Sequence, residues 1–503
     1  MSENDEDVVA MPQSSEDSNK HELEHYRLAG RSPLITVLYL SFGPVLSQIA
    51  SAMYGVIDTI WISKAVGEIG MTAVSSYTAF DNIGRAFGFF ASVAGSSKIS
   101  ALFGSGKSQE ASQVICDLLR VCIVSGIIVP LILGPLIKPG VRWFGASEEV
   151  VELGFGYLFP LLLSTVFTCW FVGCGGFLQG EGRSLMFGFI QIASLVCNMA
   201  IFDPIFLLWF KLGLKGAAYA RIISEAIPAI ILISMYFSGK FAVKPKLSQL
   251  LKPFSEYTWQ ALKVGMSQLV SNLSVSIPGI IVRKYIGMSS SSTKMFNDSL
   301  AGFNVVFRYA QVTNNLMVGL SMGFLPAGSY AYAAKNYRRW FSLQFHMNWI
   351  DLVWGSLASL LAIFSPQTIA IIFAKGEGYL YYAREMVRRA NIAGFIMFAR
   401  FGFPVMLQSL QLGITSTILS LATQLVSIIA FVSILYYTDK NNPVRLMWCY
   451  SWSYIFGFVV GGIVVSKPLY RMYKEMIASE AEDRKSEGSG GNKEPETGSF
   501  DEL

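Results

Sequence analysis

PVLSQIASAMYGVIDTIWISKAVG at residues 44–67 and VGMSQLVSNLSVSIPGIIVRKYIG at residues 264–287 are two versions of one segment. Ser47 and Gln48 fall on Ser267 and Gln268, and Lys64 and Gly67 fall on Lys284 and Gly287, all at a single constant offset. Farther on, Phe144 and Glu148 fall on Phe373 and Glu377, and Leu178 and Gln179 on Leu407 and Gln408, at a slightly longer offset. The slip needs one insertion, and the Ser-rich stretch 288–299 supplies it. Two halves running in the same direction, each rich in long apolar runs, are the mark of a transporter built from parallel repeats related by an axis along the membrane normal.

Composition agrees. Hydrophobic residues make up 52% of the 503-residue chain and charged residues only 15%, with mean hydropathy +0.46, well outside the usage of soluble domains. Apolar runs long enough to cross about 30 Å of hydrocarbon as helices lie at 34–64, 72–103, 112–138, 149–180, 184–207, 213–238, 257–286, 301–333, 339–364, 379–410, 413–437 and 444–470. The expected fold is therefore an all-α polytopic membrane protein of twelve transmembrane helices in two six-helix lobes. The expected division is a disordered tail over 1–30, a first lobe over 31–238, a linker over 239–256, a second lobe over 257–470 and a tail over 471–503.

An even number of spans puts both tails on one side, and positive charge says which. The linker carries Lys240, Lys244, Lys246 and Lys252, and the loop after the eighth span carries Lys335, Arg338 and Arg339, so both termini are expected to be cytosolic. On that topology the terminal FDEL is an acidic tail end rather than a luminal retrieval signal. The first residues lack the apolar stretch of a signal peptide. Asn297-Asp298-Ser299 is a glycosylation sequon in an expected outer loop, used or not. The membrane itself stays open between the plasma membrane and that of an organelle.

The six cysteines sit in or beside spans without CxxC spacing, two of the three histidines are in the tail, and no phosphate-binding loop or nucleophile set occurs. Nothing points to catalysis, ATP hydrolysis, a cofactor or nucleic acid. The expected energy source is a proton or sodium gradient across the lipid bilayer, and the expected active unit is a monomer.

An ionised side chain at the bilayer centre costs at least about 2.5 kcal/mol, so intramembrane charges are functional candidates. Most acids fall in the first half: Asp58, Asp81, Asp203 and Glu225, with Arg85 and Arg221. In the second half the only acid well inside a span is Asp351, beside Arg308, Arg388, Arg389 and Arg400. Pro278 and Val432 occupy the repeat positions of Asp58 and Asp203. Asp58 follows Tyr54 by one helical turn, so the two share a face. Asp58 reads as a proton or hard-cation site, or as a hydrated helix end. Asp203 precedes Pro204, whose missing N–H frees carbonyls near the acid. By spacing alone, Asp81 pairs with Arg85 and Arg221 with Glu225. Were Arg221 within reach of Asp203 instead, its fixed charge would replace a sodium ion there and leave Asp58 exchanging protons. Arg388 and Arg389 can snorkel. The positive second half suits anionic substrates or lipid head groups, or serves helix packing. Tyr54, Gln179, Glu225, Arg308 and Arg400 are the expected lining of a substrate cavity.

Several segments together resemble the multidrug and toxic compound extrusion (MATE) family. GPVLSQIASAMYGVIDTIWISKAVGEIGMTAVSS resembles its first span and following loop; ALFGSGKSQEA and SYAYAAKNYRR resemble a loop present in both halves. WFGASEEVVELGFGYL, LQGEGRS and CNMAIFDPIFLLWFKLGLKGAAYA resemble the fourth span's opening, the loop after it, and the fifth-to-sixth span segment. The match covers about residues 31–470. The resemblance implies two six-helix lobes around a V-shaped cavity and export of small organic compounds against entry of sodium or protons. It places Asp58 and Asp203 on the family's acids of spans 1 and 5. Asn198 stands five residues before Asp203 where the family spacing is four, which takes the pair off one α-helical face. Arg221 stands where the family commonly has Thr in GAAxAT. No acid sits mid-span in spans 7 or 10, so coupling is expected through the first lobe, by Asp58, Asp203, Asn198 and Arg221. A flippase or exporter of a lipid-linked or organic anion is the competing reading, favoured by the arginines.

Overall fold

The computed structural model describes residues 26–143, 147–373 and 377–489. The terminal FDEL and Phe144 lie outside those residues. Among the described residues the regular structure is all helical, with no strand, and short turns and loops join the helices. Twelve spans follow in order: α1 (Pro33–Val66), α2 (Glu68–Gly104), α3 (Glu110–Trp143), α4 (Glu148–Leu163 continued by Thr165–Gly180), α5 (Ser184–Trp209), α6 (Leu214–Phe237), α7 (Glu256–Met288), α8 (Thr293–Ala333), α9 (Tyr337–Phe364), α10 (Glu377–Asn391 continued by Phe398–Ser409), α11 (Gly413–Thr438) and α12 (Trp448–Ser489). Among the described residues nine helices are long and apolar enough to cross a bilayer, and two more spans are pairs bent by 54° in α4 and 49° in α10. The remaining one, α8, is 41 residues long but carries Asn304, Arg308, Gln311, Asn314 and Asn315. It buries Phe303, Phe324 and Leu325 among other helices.

Each half has its own apolar core. One cluster is drawn wholly from the first half, around Tyr77, Val151, Leu158 and Leu207. Another comes wholly from the second, around Phe303, Met386 and Val432. A third joins the two: Leu28, Val37, Leu40 and Val93 pack with Phe324, Trp340 and Leu407. This junction lies toward the face that carries both termini. The helices meet there through residues without side chains. A Cβ on Gly104 would lie 2.4 Å from the Tyr330 carbonyl oxygen, and one on Gly323 would lie 2.4 Å from the Ser41 Cα. Polar ties complete it. Ser97 Oγ is 3.1 Å from Ser329 Oγ and accepts from Gln411 Nε2 at 2.7 Å, and Lys98 Nζ donates to Gln260 Oε1 at 2.6 Å. The two halves are therefore sealed together on the terminal-bearing face.

Two loops brace that seal. Asp117 on α3, fully buried, accepts from the Ser255 N–H at 2.9 Å and Thr258 Oγ1 at 2.7 Å, which fixes the start of α7 to α3. In the LQGEGRS loop after α4, the buried Glu181 accepts from the Val243 N–H at 3.4 Å and lies 3.3 Å from Arg183 Nε. Burial pushes this carboxyl up to about 7, against the pull of Arg183.

Three expected boundaries shift. The tail expected over 1–30 already packs by Tyr26–Gly30, where Leu28 is fully buried and its carbonyl accepts from Arg339 Nη2. The tail expected from 471 is helical to Ser489, because RMYKEMIASEAEDRKSE is rich in strong helix formers and Met472 is still buried. The sequon expected in a loop lies in the first turns of α8. There Ser299 is fully buried, its hydroxyl donating to the Met295 carbonyl.

Candidate functional site

The first-half charges gather between α1, α2, α4, α5 and α6. Asn198 is the centre. Its Nδ2 donates to Asp203 Oδ2 at 2.9 Å and, at 3.4 Å, to Asp58 Oδ1. All three residues are buried. On an α-helix a five-residue separation would turn Asn198 and Asp203 about 140° apart. The chain avoids this by leaving α register: Asn198–Phe202 and Pro204–Trp209 are π-helical, and the Asp203 N–H bonds the Asn198 carbonyl five residues back. In an i→i+5 ladder, residues five apart face the same way. Pro204, which cannot donate, sits where the ladder changes. The five-residue spacing thus brings the pair onto one face after all, and the expected separation is corrected.

The cation partners also differ from the nearest-neighbour reading. Arg221 makes a two-pronged bond to Asp81, Nη1 to Oδ2 at 2.9 Å and Nη2 to Oδ1 at 3.2 Å, and reaches Glu225 with Nε at 3.4 Å. Asp81 is thereby taken from Arg85, which donates to Ser51 Oγ at 3.2 Å. No bond joins Arg221 to Asp203, so the substitution of sodium by a fixed arginine charge at Asp203 does not occur here. Four carboxyls, those of Asp58, Asp81, Asp203 and Glu225, share two guanidiniums, those of Arg85 and Arg221. Among the described residues, neither Asp58 nor Asp203 has an ion-pair partner, and Asp203 Oδ1 and Asn198 Oδ1 are buried with no donor. What remains is a cluster of buried acceptor oxygens in which the carboxyls outnumber the guanidiniums.

Tyr54 completes the wall. Its hydroxyl lies 3.0 Å from Ser194 Oγ and 3.2 Å from Ser224 Oγ, and Thr168 Oγ1 donates to Glu225 Oε2 at 2.6 Å. Ser194, Ser224 and Thr168 had no signal of their own, although Ser194 stands one turn before Asn198 and Ser224 next to Glu225. Two expected cavity residues do not join the cluster. Gln179 is buried roughly three turns of α4 past Thr168, and Arg308 is exposed. Arg400 belongs to the second half, where it lines a separate cavity. Asp351 is fully buried on α9, and neither of its carboxylate oxygens has a partner.

The family model described as MatE matches twice, over residues 44–203 and again over 270–432, one copy in each half. The chain belongs to the MATE family. The doubled match is the repeat read from the sequence, and it places Asp58, Asn198 and Asp203 inside the first MATE copy. The Multidrug export protein MepA of Staphylococcus haemolyticus (strain JCSC1435) is 22% identical over 386 residues, 77% of this chain and 83% of its own. Among solved structures, an outward-facing conformation of a multidrug resistance MATE family transporter of the MOP superfamily superposes with TM-score 0.79 at 20% identity. It covers 90% of this chain and 99% of that one. A MOP superfamily transporter from Pyrococcus furiosus, described as having a binding pocket of reversed polarity, gives TM-score 0.78 at 20% identity over 88% and 98% of the two chains. These similarities support a multi-pass membrane transporter of the MATE fold rather than an enzyme.

Proposed function

We propose that this protein is a secondary antiporter that exports small organic compounds in exchange for a cation, a proton or sodium, taken up at Asp58, Asn198 and Asp203 in the first lobe. The observation that carries the reading is the shared amide of Asn198. It holds two carboxylates that have no cation of their own, and leaves buried acceptor oxygens toward them. A proton added to either carboxyl, or a sodium ion among these oxygens, neutralises charge that is costly to keep in the membrane. The seal on the terminal-bearing face fits a state open on the other side. With the termini cytosolic, as the lysine distribution asks, a cation enters from outside. Arg221 holds Asp81 in place and keeps that carboxylate out of the exchange. The multidrug names of the relatives make organic compounds the natural cargo, moved by a monomer.

The test is transport in vesicles. The full chain is reconstituted, a proton or a sodium gradient is imposed separately, and movement of organic cations and anions, ethidium and p-aminohippurate among them, is followed. Gradient-driven movement should vanish in Asp58→Asn and Asp203→Asn, which keep shape and lose charge. Wild-type rates in a folded protein carrying both substitutions would refute the reading.

A further inference from the structure

We propose that the interior of the second half is a binding subsite for an oxyanion, a carboxylate, sulfonate or phosphate carried on an apolar body, anchored by Arg400. The proposal rests on the export reading above and names the cargo's chemical class.

Arg400 sits on α10 just past the 49° bend and is only 9% exposed. It lines a partly open cavity of about 50 Å³ bounded by α7, α8, α10, α11 and α12. Among the described residues no Asp or Glu lines this cavity, and Arg400 is the one charged residue that does. Its Nε is buried without an acceptor. The second half's buried acid, Asp351, accepts no hydrogen bond on either oxygen, so Arg400 donates none to it. The contrast with Arg221 is direct: that guanidinium is gripped by Asp81 and Glu225.

A guanidinium taken into low dielectric without a counter-charge is expensive, and the expense is recovered when an anion arrives. The planar fork of arginine matches the two oxygens of an oxyacid. The same charge repels an organic cation, and the cavity offers no acid to hold one. Its walls supply the rest of the recognition. Phe307, Tyr450 and Tyr454 give flat apolar faces, and the two tyrosines add hydroxyls, suited to an aromatic or acyl body. Both a soluble aryl acid and the phosphate of a membrane lipid carry this chemistry, and a cavity between membrane helices is open to either.

The experiment uses the purified full-length protein in two arms. In neutral detergent, equilibrium binding of radiolabelled p-aminohippurate is measured. In nanodiscs, phosphatidylglycerol is titrated against phosphatidylcholine and bound anionic lipid is counted. Saturable binding in at least one arm is expected, and the arm that shows it identifies the source. Arg400→Gln should weaken that binding at least tenfold, Arg400→Lys should fall between, and the exposed Arg308→Gln should bind as wild type. If Arg400→Gln does not fold, the wild-type protein decides alone: p-aminohippurate or phosphatidylglycerol should raise its melting temperature, and tetraethylammonium should not. The proposal is overturned if neither anion binds saturably, or if a folded Arg400→Gln binds like wild type. Gradient-driven ethidium movement that survives such a result leaves the antiport reading standing. Anion binding without gradient-driven transport of any cargo sinks the antiport reading alone.

Discussion

Replacing Arg221 by Met keeps much of the side chain's volume and removes its charge. Asp81 then loses both of its bonds to the guanidinium, and Glu225 keeps only Thr168. Removing one partner of a buried ion pair costs about 3–5 kcal/mol, because the other charge is stranded. Asp81 is 20% exposed at its side chain and Arg221 7%, so some water reaches the stranded acid and the lower end applies. A loss of about 3 kcal/mol shifts the folded-to-unfolded ratio roughly a hundredfold. Adding Asp81→Leu removes the stranded charge, and the double variant should regain most of the loss, for a coupling energy of about 2 kcal/mol or more. The assay is a double-mutant cycle by denaturant unfolding of purified protein in one detergent. Arg85→Met, which removes a single bond to Ser51, should cost under about 1 kcal/mol. A coupling energy between positions 81 and 221 below about 0.5 kcal/mol, or a larger loss from Arg85→Met than from Arg221→Met, would show that the sequence neighbours are the true pair.

Other expectations are shorter to state. Cysteines placed at 97 and 329, whose native hydroxyls are 3.1 Å apart, should form a disulfide in a background free of the native cysteines and stop transport until reduced; Gly323→Val, which drives a side chain into Ser41, should slow that disulfide's formation. Glu181 rises from an ordinary 4.5 to about 7 on folding, so its destabilising contribution is absent below pH 4.5, grows as pH rises and is complete above about 7, at most about 3 kcal/mol; in Glu181→Gln the fall in melting temperature from pH 5 to pH 8 should shrink, and an unchanged slope would remove Glu181 as its source. Asp351→Leu should stabilise the protein by about 1–3 kcal/mol, since two unpartnered buried oxygens are removed; a marked destabilisation would reveal a partner for that carboxyl. Protease applied to intact cells should spare the tail beyond residue 479, and cleavage there would reverse the topology.

Helix count and the repeat were legible because the bilayer demands long apolar runs, and those survive in composition. The acids Asp58 and Asp203 were legible for the same reason, since charge in such a run stands out. The pairing of charges was not. A sequence displays neighbours one turn apart, such as Asp81 with Arg85, whereas Arg221 and Asp81 are 140 positions apart and meet only once α2 and α6 pack. Asn198 was misread through register: counting in turns of 3.6 residues has no place for a π segment, and Pro204 was the sole hint. The second half also has a π segment, Leu421–Val426 in α11, but it falls before the repeat position of Asn198, and Val432, which stands where Asp203 would, lies in plain α-helix. The sequon was misplaced because a polar, Ser-rich run also opens a helix when Ser292 caps it.

The clasp at Asp117 has a mechanical consequence. The repeat divides the chain between α6 and α7, and a reader would cut the two moving bodies there as well. Yet the first turn of α7 is tied to α3 through the Ser255 amide and the Thr258 hydroxyl, both on one buried carboxylate. Torque between the halves therefore meets a rivet at the foot of α7, and the compliant point of that helix has to lie beyond Thr258. The inherited seam and the working joint are different places in the chain.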